Sequence, residues 1–115
     1  MSNNFTVKKA NWDQLPLEYV REGVTRKVFS GEKATVCINY LKPGHEPKPH
    51  SHPHEQIVYI MSGTCNFHVG DEVVPMGPGD VLVIPGDVVH YAEVTGTETV
   101  VNLDVFSPAR KEYGG

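Results

Sequence analysis

Apolar residues in this chain come in short runs, and none keeps a helical period over a useful length. Ile57-Val58-Tyr59-Ile60-Met61 and Val81-Leu82-Val83-Ile84 are continuously apolar. Both are too short for helices and rich in β-branched residues, so they predict buried strands. Ala34 to Leu41 alternates, with Val36, Ile38 and Tyr40 against Cys37, Asn39 and Leu41. Further strands are predicted at Val24–Phe29, Thr64–Val69, from Glu72, from Val88 into Val94, and at Thr99–Phe106. Gly- and Pro-bearing clusters such as Ser62-Gly63, Gly70-Asp71 and Pro85-Gly86-Asp87 punctuate them as turns. Residues 1–23 show no clean period. With Trp12, Leu15, Leu17 and Tyr19 as apolar anchors, they predict an arm packed on the barrel or on a second subunit. Residues 24–115 then form one all-β domain of roughly eight or more short strands, a closed or double-sheet barrel that leaves no exposed strand edge.

One stretch breaks this regularity. His50-Ser51-His52-Pro53-His54-Glu55-Gln56 holds three of the chain's six histidines and follows a Pro/Gly-rich loop from Lys42 to Pro49. Side chains alternate along a strand, so His50, His52 and Gln56 share parity and can point together. Two imidazoles and an amide at the entrance of a strand are the start of a metal site. A further ligand must come from elsewhere, and His90, just past the Pro85-Gly86-Asp87 turn, is the candidate. His54 follows the Pro53 kink and reads as a loop or supporting residue. His45 and His68 read as ordinary exposed or strand residues.

Composition narrows the classes. The chain has 115 residues, enough for one domain. Its net charge of −4 and lack of a Lys/Arg run exclude nucleic acid and anionic membrane surfaces as partners. No apolar stretch is long enough to span a bilayer. Met1 to Phe5 lacks a basic region leading into an apolar core, so no secretory signal is expected, and the cytoplasm is the expected compartment. In that compartment Cys37 and Cys65 are expected to be free, buried thiols.

Two motifs then acquire a shared meaning. Gly44, five residues, His50-x-His52, three residues, Gln56, six residues and Gly63 resemble the first motif of the cupins, with Gln where many have Glu. Gly79, five residues, Pro85 and then His90 resemble the second, with Asp87 and Val94 departing from the usual Gly and Asn. The resemblance implies a conical β-barrel (a double-stranded β-helix or jelly roll). It also implies one divalent ion, Ni, Zn, Fe or Mn, held by His50, His52, Gln56 and His90. A neutral ligand set leaves the ion's full double charge available as a Lewis acid.

The last strand carries a second signal. Asn102, Asp104 and Phe106 share one face, and a carboxylate among apolar neighbours costs free energy unless it is paired. Spacing alone fits a strand-end salt bridge between Asp104 and Arg110. Yet Asp104-Val-Phe106-Ser-Pro-x-Arg110, together with the histidine run and Gly23-Val24-Thr25-Arg26-Lys27, resembles the small single-domain cupins of the KdgF type. That resemblance implies conversion of a 4,5-unsaturated monouronate, a product of pectin or alginate breakdown, to its linear keto form. It makes Asp104, Phe106 and Arg110 the catalytic pocket residues, with an anionic sugar acid as substrate and a homodimer as the assembly. Two other classes use the same metal ligands. One is a cupin dioxygenase acting on an unknown small molecule; the other is a non-catalytic cupin that binds a metal or sugar acid.

Overall fold

The computed structural model describes residues 4–114. The first three residues of the expected arm lie outside the described residues. Nine strands and two three-residue 3-10 turns make up the regular structure among the described residues. The strands are β1 (Glu18–Arg21), β2 (Val24–Ser30), β3 (Thr35–Leu41), β4 (Glu55–Ser62), β5 (Cys65–Val69), β6 (Glu72–Met76), β7 (Val81–Ile84), β8 (His90–Val94) and β9 (Val100–Ser107). They form an antiparallel six-stranded sheet in the order β1-β2-β3-β9-β4-β7 and a three-stranded sheet in the order β6-β5-β8. The last strand therefore sits centrally, between β3 and β4. β1 arises inside the segment expected as an arm. Before it, the chain runs along the outer side of β2, where Lys27 Nζ donates to the Trp12 carbonyl at 2.7 Å and Lys8 lies 4.7 Å from the Phe29 ring centroid.

The strand register arranges the inward-facing side chains of the large sheet in rows. Val24, Leu41 and Val100 form an apolar row. Arg26, Asn39, Asn102 and Ile60 form the next, mostly polar. Val28, Cys37, Asp104 and Val58 follow, and then Ser30, Thr35, Phe106, Gln56 and Ile84. The main core lies between the two sheets, where Val24, Leu41, Val58, Ile60, Phe67 and Ile84 pack with Cys65, Met76 and Val100. A smaller cluster of Val28, Cys37 and Phe106 lies at the other end, with Tyr113 against it. Both cysteines are free and buried, as expected.

The two apolar runs expected as buried strands are buried on one face only. Val58, Ile60 and Ile84 point inward, while Met61, Val81 and Val83 are 47%, 62% and 53% exposed. A strand in an antiparallel sheet with helices on neither face keeps one open side, so a continuous apolar run does not by itself mean two covered faces. No helix of the described residues is long and apolar enough to cross a membrane.

Candidate metal centre

Three imidazoles converge at one end of the barrel. The candidate ligand atoms of His50, His52 and His90 all lie within 4.8 Å of one another. The backbone brings them together. His50 and His90 form an isolated antiparallel bridge, with amide-to-carbonyl bonds of 3.1 and 2.9 Å, and the Asp87 amide donates to the His52 carbonyl at 2.7 Å. Asp87 adopts φ +67°, the left-handed conformation that glycine takes most easily, and so keeps the turn despite its side chain. Gly86 is needed for another reason. A Cβ there would meet the Pro53 carbonyl oxygen at 2.4 Å, so only glycine lets the two loops touch. The histidines do not share a strand with Gln56, as their parity suggested. His50 and His52 precede β4, and Pro53 keeps them in a loop held against the start of β8.

Each ring is oriented by its own main chain. Nδ1 of His50 donates to the Lys48 carbonyl at 2.8 Å, that of His52 to the His54 carbonyl at 3.1 Å, and that of His90 to the Val88 carbonyl at 2.9 Å. These bonds place the proton on Nδ1 and leave the Nε2 lone pair free, as a metal-bound imidazole requires. Burial holds His52 below the ordinary histidine range and lowers His90 to about 4, so both rings stay neutral. His90 Nε2 is buried and has no partner among the described residues. His52 Nε2 lies 3.2 Å from Gln56 Oε1, two electron-pair donors face to face. A cation between them answers both, so the residues present fit a divalent ion.

Asp104 explains the glutamine. It is buried directly below, receiving Asn39 Nδ2 at 2.6 Å on one oxygen and Asn102 Nδ2 at 2.9 Å on the other, and Gln56 also hydrogen-bonds to it. Gln56 can donate its amide to Asp104 while presenting Oε1 to the histidines; a glutamate would set two carboxylates against each other. Burial pushes the Asp104 carboxyl up to about 7, against the pull of those hydrogen bonds and of the Arg110 charge. The Asp104–Arg110 salt bridge allowed by the spacing does not form. Arg110 Nε instead lies 3.4 Å from Glu112, and its guanidinium sits 4.9 Å from the Phe106 ring and 4.1 Å from that of Tyr113.

His50, Gln56, His90, Asp104 and Phe106 line one cavity of about 120 Å³, open to solvent; Arg110 is not in its wall. Several wall residues carried no sequence signal of their own. Asn39 read simply as one side of an alternating strand, and Tyr113 lies in a C-terminal turn with no period. Arg26 did leave a trace, a charge at an inward parity between Val24 and Val28. His45, expected on the surface, is buried in the same wall because its loop packs against the β1–β2 turn, where the Lys42 amide donates to the Gly23 carbonyl at 2.9 Å and Arg21 Nε to the Glu46 carbonyl at 3.3 Å. His54 is buried with its ring 5.5 Å from that of His52, and it supports the site through its carbonyl. His68 is a strand residue, stacked on Tyr91 and paired with Glu93 at 3.1 Å.

A β-barrel with three histidines and an amide at its mouth, two of the histidines on a loop and one opening β8, is the site plan of a known family, whose domain pattern matches residues 38–106, described as a cupin domain. This chain belongs to the cupins. Among curated proteins, this cupin is 29% identical over 91 residues to protein SchB of Streptomyces halstedii, with 74% of this chain covered. It spans 66% of SchB's length. Among solved structures, KdgF from a Halomonas species is 27% identical with a TM-score of 0.79, over 88% of this chain and 94% of that one. An RmlC-like cupin from Shewanella frigidimarina is 24% identical with a TM-score of 0.80, over 97% and 96%, and shares the fold.

Proposed function

We propose that this cupin opens and ketonises a 4,5-unsaturated monouronate in cytoplasmic sugar-acid breakdown. The observation that carries the proposal is the pairing of the ligand set with Asp104, a buried carboxyl one residue row below Gln56 and open to the same cavity. The likeness to KdgF supports it, as do two properties of the cavity. Its volume of about 120 Å³, well below the roughly 300–1,000 Å³ typical of larger ligands, restricts it to a small molecule. Its wall carries Arg21, Arg26 and Lys48 but a single carboxylate, Asp104, so it attracts an anion although the chain as a whole is acidic.

His50, His52, Gln56 and His90 would hold the divalent ion, which when bound supplies Lewis-acid polarisation of a sugar oxygen. Asp104 takes the hemiacetal hydroxyl proton as the ring opens and returns a proton to carbon as the enol becomes a ketone. Its pKa of about 7 lets it act in both directions near neutral pH. Asn39 and Asn102 fix the two carboxyl oxygens, so the proton moves at a defined position. Phe106, packed edge-on to His52 at 5.5 Å between ring centroids, shapes the dry side of the cavity. The reaction consumes no oxidant. A homodimer is part of this reading. The outer face of β4 and β7 presents Ile57, Tyr59, Met61, Val81 and Val83 together, and an apolar sheet face of this kind matches a second copy of itself about a twofold axis.

The test is to mix metal-loaded protein with lyase-generated unsaturated monouronate and follow the alkene absorbance and the product by NMR. The proposal expects the alkene to disappear faster than in buffer and a linear keto acid to form without oxygen uptake. Decay at the buffer rate, or activity that requires oxygen, refutes it.

A further inference from the structure

The mechanism leaves three cations of the cavity wall unused, Arg21, Lys48 and Arg26, and of these Arg26 alone sits in mid-strand between buried neighbours. Arg26 lies midway along β2, facing inward between the buried Val24 and Val28. A guanidinium in that position is costly unless its charge and its donors are answered. Its cross-strand neighbours do not answer them. Glu18 on β1 makes no ion pair with it; among the described residues the ion pairs are His68–Glu93 and Arg110–Glu112. Asn39 on β3 gives its amide to Asp104. The Arg26 guanidinium makes no hydrogen bond among the described residues, and its Nε is fully buried without a partner. What holds the group is the Tyr113 ring, 3.9 Å from Arg26 Cζ to the centroid.

The same ring holds Arg110, at 4.1 Å. The two arginines differ in what they face. Arg110 does not line the cavity, although its charge reaches His52, His90 and Asp104, and it has Glu112 as a partner at 3.4 Å. Arg26 and Tyr113 are in the wall beside His50, Gln56 and Asp104, and Arg26 has no anion. Tyr113 arrives there on the turn Lys111–Tyr113, braced against Phe106 at 5.6 Å between centroids. A stacked guanidinium keeps its planar fork rigid, and that fork matches a carboxylate with two parallel hydrogen bonds.

We infer that Arg26, braced by Tyr113, is the carboxylate receptor of this cavity and the residue that selects an acid sugar over a neutral one, while Arg110, already paired with Glu112, steadies Tyr113. The inference rests on the uronate reading and deepens it, moving the carboxylate from Arg110 to Arg26. Asp104 then lies one residue row from the receptor and Gln56 two, so a ring anchored by its acid group extends toward the metal ligands.

The experiment is a competition measured on the alkene assay, with D-galacturonate and D-galactose as inhibitors of wild type, Arg26→Gln, Arg26→Lys and Tyr113→Leu. Wild type is expected to prefer the acid by about tenfold or more. Arg26→Gln brings that ratio close to one and raises KM for the unsaturated uronate about 10- to 100-fold, with kcat changed far less. Lysine restores part of the preference, because it keeps the charge without the fork. Tyr113→Leu raises KM more modestly. Metal content and circular dichroism equal to wild type separate these effects from misfolding. An Arg26→Gln protein that keeps its acid preference, or that loses kcat at unchanged KM, overturns the inference. If wild type does not turn over the unsaturated uronate, the ketonisation reading fails, and calorimetric titration of the same two sugars decides the receptor separately. Acid preference that is lost in Arg26→Gln supports it; no preference in wild type overturns it.

Discussion

The interior of the barrel has two halves, built from the same strands under opposite rules. In the apolar half, Val58, Ile60, Phe67, Ile84 and Val100 fill the space between the sheets without a polar atom among their side chains. In the polar half, β2, β3, β4 and β9 turn in Arg26, Asn39, Gln56, Asn102 and Asp104. Most of these groups answer one another, but not all. Every buried side-chain nitrogen without a partner among the described residues belongs to this half: Arg26 Nε, His45 Nε2, His54 Nδ1 and His90 Nε2. Native interiors leave few such groups unpaired. Their concentration around the site marks where the chain gives up self-sufficiency for ligand binding, while apolar residues of the same rows, Ile60, Val58 and Ile84, supply the packing that makes this tolerable.

The halves should therefore fail separately. The largest effect is expected from Asp104→Asn, which removes the proposed proton carrier. Turnover of the unsaturated uronate should fall by roughly 10²- to 10⁴-fold, with metal content retained, as steady-state rates and elemental analysis will show. Ile60→Ala tests the opposite half. It should cost about 2–5 kcal/mol in urea unfolding yet leave turnover at 20 °C within about twofold. A large activity loss there would mean that the halves are not independent. The two thiols sharpen the contrast. Burial raises Cys65 in the apolar half to about 11, while burial plus the nearby Asp104 charge raises Cys37 to about 12. Each folded value lies above that of the unfolded chain, so the folded state holds the extra proton. The associated stability is complete below about pH 8.5 and is lost as pH rises through 11 to 12. Cys37→Ala should flatten that alkaline limb in urea midpoints measured between pH 8 and pH 11. The smallest effect on chemistry is expected from Met61→Lys on the outer sheet face. Light scattering should report a halved mass, with turnover little changed.

The apolar half was the more legible in sequence. Short apolar runs, alternating in β3 and continuous in β4 and β7, together with Gly/Pro turns located eight of the nine strands within a residue or two. β1 was missed because Glu18–Arg21 is too short to show a period. The metal centre was legible as motif spacing, although its geometry differs from the strand tripod that parity suggested; Pro53 and the Gly86 contact hold the two histidines in a loop. Less legible was everything that depends on the return of the chain end. Arg110 reads as a pocket residue from its place in the tail; the structure sets it and Arg26 against one ring, that of Tyr113, a contact that joins β2 to the chain end. Such contacts link residues far apart in sequence and leave no local period to read.

The central claim is that His50, His52, Gln56 and His90 hold a divalent ion on which uronate ketonisation depends. The most direct measurement is the rate of alkene loss with freshly purified protein, with the same protein after chelation and dialysis, and with the stripped protein titrated with Ni, Zn, Fe or Mn. Activity is expected to disappear on stripping while the fold persists, and to return as about one ion binds per chain. Unaltered activity in metal-free protein, or recovery that is equally complete in His90→Ala, would contradict it.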